Sequence, residues 1–163
     1  MKKIRTFSFI TVMAISFILL SGCGDQVSKD LENYIGNQMP ALETAEENII
    51  NSFNSELNNK SSGDDALLKA LNEEVIPCSD ELIEAAKAVE PKTDELNQVH
   101  AIYIDAMTSQ NQGFKKLAEA ISNNSNADMA KEANALLTKS DETCNTFVKE
   151  LHKLADEHDY EIN

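Results

Sequence analysis

Apolar residues return every three or four positions along four stretches of this chain, and nowhere in the every-other pattern of a strand. In the first stretch they are Val27, Leu31, Tyr34 and Ile35, then Leu42, Ala45, Ile49, Phe53 and Leu57. Gly36 and Pro40 fall between these two groups. A proline inside a helix removes one hydrogen bond and crowds the preceding turn. A break or kink is therefore expected near residues 37–40, with Pro40 in the first turn of the segment that follows.

Residues 58–63 (Asn-Asn-Lys-Ser-Ser-Gly) read as a loop. The second stripe then runs Leu68, Leu71, Val75, Cys78, Leu82, Ala85 and Val89, and Pro77 should bend it without ending it, because the stripe keeps its phase on both sides. Glu90 to Thr93 makes a corner, with Thr93 placed to cap the next helix and Asp94 and Glu95 in its first turn. That third helix carries Leu96, Val99, Tyr103, Met107, Gln110, Phe114, Leu117 and Ile121 inward, with Gln110 the polar exception and Gly113 beside it. Residues 122–126 are a further loop. The last helix, from Ala127 to His158, turns Ala133, Leu137, Ser140, Cys144, Phe147, Leu151, Leu154 and His158 inward. Four amphipathic segments joined by short loops predict an all-α fold, an antiparallel bundle of three to four helices.

The residues ahead of this pattern are of another kind. Lys2, Lys3 and Arg5 make a basic start, and residues 7–20 are an unbroken run of apolar and small hydroxyl side chains. As a helix that run spans about 21 Å, against the roughly 30 Å of a bilayer's hydrocarbon core. A short apolar run behind a basic start is the pattern of a secretory signal. It closes on Leu20-Ser21-Gly22-Cys23. These four residues resemble the lipobox of bacterial lipoproteins. The resemblance implies transfer of a diacylglyceryl group to the Cys23 sulfur, cleavage between Gly22 and Cys23, and a protein held by acyl chains on the extracytoplasmic face of the cell membrane. The expected organisation is a signal peptide over 1–22, a lipidated tether over 23–28 and a helical domain over 29–163.

Charge narrows the partners. Of the 14 Lys and Arg, three leave with the leader, so 11 face 28 Asp and Glu, a formal charge of −17. Such a surface repels nucleic acid and anionic headgroups, which leaves the acyl chains as the attachment to the membrane. No calcium-loop spacing, phosphate loop, nucleophile elbow or paired zinc-site histidines occur. His152 and Asp156 stand one turn apart, but two candidate ligands fall short of the four that structural zinc takes. His100, near Tyr103 and Glu95, reads as a partly buried histidine with a hydrogen-bond partner. No catalytic site, metal or cofactor is expected.

Cys78 and Cys144 remain once Cys23 is lipidated, an even number in an exported chain. Both fall on inward stripes, and both lie about 20 Å along the bundle from the Pro91 corner. A disulfide between them fits a three-helix core or a flattened bundle. In a square bundle the second and fourth helices are diagonal, and their Cα atoms stay beyond the roughly 7 Å a disulfide spans. Two free core thiols are the alternative. The function expected is a non-enzymatic helical module that binds another cell-envelope protein. The alternative is a small-ligand or cell-wall-binding lipoprotein, with a cleft near Tyr103, Met107 and Gln110.

Overall fold

A computed structural model of the protein describes residues 26–58 and 63–162. The expected signal peptide, the expected Gly22–Cys23 cleavage point and the expected lipidation site at Cys23 lie outside the described residues, as does most of the first loop. The elements are α1 (Gln26–Asn33), a π-helical turn (Tyr34–Gln38), α2 (Met39–Asn58), α3 (Asp64–Ala70), a second π-helical turn (Leu71–Val75), α4 (Ile76–Lys87), α5 (Asp94–Ser122) and α6 (Ala127–Glu157). The π turns join their flanking helices without a gap, so the chain folds as four rods: 26–58, 64–87, α5 and α6. Among the described residues there is no strand, and the expected helical bundle is what forms.

Both π turns have the same cause. Each is followed, one residue further on, by a proline: Pro40 after Met39, and Pro77 after Ile76. A proline has no N–H to give and its ring strikes the carbonyl four residues back. Widening the ladder just ahead of it moves that carbonyl aside, and the Met39 and Ile76 N–H groups reach back five residues to Tyr34 O and Leu71 O. The break expected near residues 37–40 is thus a bulge, and the helix carries on through it.

The second π turn changes which side chains face inward. One extra residue in the turn advances the phase, so the second rod buries Leu71, Val75, Ser79, Leu82, Ile83 and Ala86. Ser79 takes the inward place expected of Cys78, which is exposed.

Aromatic contacts fix the arrangement of the rods. Phe53 of α2 meets Phe114 of α5 at 4.9 Å between ring centroids, Tyr34 meets His100 at 5.4 Å, and Tyr103 meets Phe147 of α6 at 5.3 Å. The first rod therefore runs parallel to α5, across the bundle axis from it, while the second rod and α6 occupy the other diagonal. α5 and α6 form the closest pair. Gly113 is the reason: a Cβ placed there would lie 2.8 Å from the Leu137 side chain and 3.3 Å from its backbone N. Ala106 and Ala133 are fully buried as well, and the Ser140 hydroxyl donates to Ala106 O at 2.9 Å. At the loop between them, the Asn126 side chain caps α6 by accepting from the Asp128 and Met129 N–H groups at 3.0 and 3.1 Å.

Candidate functional site

Three places hold side chains that a featureless bundle would not need. The first is the end where the first rod begins. Asp30 is 3% exposed, and its Oδ2 accepts from Lys92 N at 2.7 Å, Thr93 N at 2.8 Å and Thr93 Oγ1 at 2.8 Å. Thr93 does stand at the N-cap of α5 in extended backbone, but its hydroxyl serves Asp30 and makes no bond to the helix it precedes. One turn on, Tyr34 donates to His100 Nδ1 at 2.8 Å, and His100 Nε2 lies 2.8 Å from Ala86 O. A carbonyl can only accept, so the proton sits on Nε2 and Nδ1 receives the tyrosine. Burial lowers the His100 pKa, partly countered by the bond to Ala86, and the ring stays neutral. His100 is indeed buried with partners, though they are Tyr34 and Ala86; Tyr103 only stacks near it, at 6.1 Å between centroids. These bonds join three rods and the corner at 91–93. They are structural.

The second place lies between α2, α5 and α6. Tyr103 donates to the Glu46 carboxylate at 3.3 Å. Burial pushes the Glu46 pKa up to about 7; the Tyr103 bond works against this and the Glu43 charge adds to it. Burial, then the charges of Glu46 and Asp141, push the Cys144 thiol up to about 12. Asp141 itself is pushed up to about 6, by burial and then by Glu142. A thiol held so firmly protonated is a poor nucleophile.

The third place is a groove of about 350 Å³ on the outside of the bundle, between α2 and α4. Small side chains make its walls, Ala45 and Ser52 on α2 facing Cys78 and Ala85 on α4, above a floor that includes Ile49 and Leu82. Glu74 and Glu81 stand on its rim.

Two expectations are corrected by this arrangement. Cys78 and Cys144 are both free, and no disulfide joins them. The reason is the diagonal placement of their helices, compounded by the π turn, which directs Cys78 outward to the groove while Cys144 sits beside Glu46 and Tyr103. The cleft of the alternative reading, near Tyr103, Met107 and Gln110, does not open to solvent, since the three are 2%, 0% and 7% exposed. Among the described residues no three or more His, Cys, Asp or Glu side chains gather to hold a metal. No described helix is long and apolar enough to cross a membrane.

The Asp30 tie escaped the sequence because an aspartate near a helix start looks like any other solvated acid. The groove escaped because it depends on the phase shift at Leu71–Val75. Comparison with curated proteins and with solved structures finds no match. A family model does match, over residues 1–161, and its description is EMYY-motif containing lipoprotein; the four-letter string in that description does not occur in this chain.

Proposed function

The chain belongs to this lipoprotein family, and from that premise we propose that it is a non-enzymatic helical module, anchored through acyl chains on Cys23 to the extracytoplasmic face of the membrane, that binds another protein of the cell envelope. The observation that carries the reading is where the polar groups and the concavity lie. The hydrogen bonds of Asp30, Tyr34, His100 and Ser140 tie the bundle to itself, while the groove opens on the outer surface. Chemistry needs an activated group in a pocket. Here the residues that line the groove with the Cys78 thiol include two carboxylates, Glu74 and Glu81, but no cation to stabilise a thiolate, and the buried thiol is kept protonated.

The anchor and the partner are tested separately. In its own host, the protein should incorporate labelled palmitate and enter the detergent phase, and Cys23→Ala should abolish both; label retained in that variant overturns the anchor. Chemical crosslinking in cells, followed by capture, should recover a discrete envelope protein above a control carrying only the signal and lipidated cysteine. Recovery no greater than that control overturns the partner reading.

A further inference from the structure

The two helices that form the groove differ from the rest of the bundle in charge. α2 carries Glu43, Glu46, Glu47 and Glu56 and not one Lys, Arg or His. From Leu71 to Lys87 there are Glu73, Glu74, Asp80, Glu81 and Glu84 against Lys87 alone. α5 and α6, by contrast, interleave six lysines with their acids, from Lys115 to Lys153. The rim acids are also uncompensated: Lys87 pairs with Glu84 and Lys115 with Asp80, but Glu74 and Glu81 have no ion pair among the described residues. Those two unpaired carboxylates, both on the second rod, line a trough whose other small side chains are alanines, a serine, an asparagine and a thiol, roomy enough at about 350 Å³ for an inserted side chain. An apolar slot with one sign of charge on its rim selects a ligand of matching pattern.

We propose that this groove is the docking site for a cationic amphipathic segment of the partner protein, which seats an apolar side chain between α2 and α4 and sets Lys or Arg against Glu74 and Glu81. The inference rests on the protein-binding function proposed above and gives it a place and a chemistry. A second copy of this chain is the wrong occupant, because it would bring the same carboxylates to the same rim and a formal −17 against −17.

Cys78 supplies the readout, as an exposed thiol on the wall of the groove. Full-length lipoprotein in nanodiscs of zwitterionic lipid is treated with a maleimide, and alkylation at Cys78 is followed by mass spectrometry. A Leu/Lys amphipathic peptide should slow that alkylation in a saturable way, a Ser/Lys peptide of equal charge should do so only weakly, and a Leu/Glu peptide should not. In the double variant Glu74→Lys/Glu81→Lys, compared with and without peptide so that any change in thiol reactivity cancels, the half-saturating concentration should rise about tenfold or more. The matched reversal Asp105→Lys/Glu142→Lys, on α5 and α6, should leave it unchanged. Equal loss in both variants, absence of protection, or protection that grows with protein concentration without peptide each overturns the proposal; the last identifies a second copy as occupant. If cells yield a captured partner whose binding leaves Cys78 as reactive as before, the function stands and the groove falls. If the Leu/Lys peptide protects while cells yield no partner, the groove stands as a binding site and the broader reading falls.

Discussion

Between α5 and α6 the α-helical ladder runs without interruption for 29 and 31 residues, and Gly113 and Ala106 let the two backbones come together over Leu137 and Ser140. The first and second rods each carry a π turn and a proline, and between α2 and α4 a groove is left open. One half of the molecule is held by contact between small side chains. The other is held at one end by polar ties, Asp30 to the 92–93 corner and Tyr34 to His100. Close packing resists opening along its whole length, whereas a tie resists it only where it is made.

That difference can be broken from either side. Asp30→Ala removes three bonds to a carboxylate oxygen and strands the Lys92 and Thr93 N–H groups, at a cost of about 3 kcal/mol. Chemical denaturation should show the loss, and hydrogen exchange should show residues 26–58 opening ahead of α5 and α6. Uniform acceleration throughout would mean the two halves do not differ. Gly113→Leu forces a side chain into Leu137. Overpacking of about 3 kcal/mol, offset by about 1 kcal/mol of better helix propensity, leaves a net loss of about 2 kcal/mol. Here exchange should accelerate everywhere, because the close pair is the common support.

A smaller effect sharpens the contact between the halves. The folded pKa of Glu46 stands at about 7 against an ordinary 4.5, so over that window the native state keeps a proton that the unfolded chain has released. Native-state proton excess makes stability fall as pH rises. Glu46 should therefore contribute most near the lower end of the window and less as pH climbs to about 7, with Asp141, raised to about 6, adding in the same direction and the lowered pKa of buried His100 acting against them. The change in melting temperature from the lower end of this range to about pH 7 should be more negative in the wild type than in Glu46→Gln; an identical change in the two would remove Glu46 from the account. Smallest of all is the consequence for the thiols. In the folded protein a maleimide should modify Cys78 and spare Cys144, whose thiol is held protonated near pKa 12, with little change in melting temperature. Intact mass under non-reducing conditions should show both free; a bridged pair would contradict the diagonal arrangement.

The stripes on α5 and α6 could be read from sequence almost residue by residue, because uninterrupted helices keep one period. Leu96, Val99, Tyr103, Met107, Gln110, Phe114 and Leu117 are all buried as their spacing implied. In the second rod the expected stripe holds at Leu71, Val75 and Leu82. It fails at Cys78 and Ala85, which are exposed while Ser79 and Ala86 are buried beside them, because the constant-period assumption took no account of the π turn. Pro77 was visible as a disturbance, but a proline does not announce whether the helix will bend or take in an extra residue. Thr93 was legible as the N-cap position of α5, but its hydroxyl bonds Asp30, 63 residues away, and not the helix it precedes. Long-range polar pairing leaves no periodic trace.

The π turn at Leu71–Val75 also acts as a rotational setting. Each α-helical residue turns the chain by about 100°, so drawing all five residues of that turn onto the ordinary ladder, with none removed, would rotate all of α4 about its own axis. The thiol would swing from the groove wall toward the core, and Ser79 would come out in its place, with no side chain substituted. A homologue one residue shorter in this stretch would need no bulge and would keep the same outer face on an ordinary ladder.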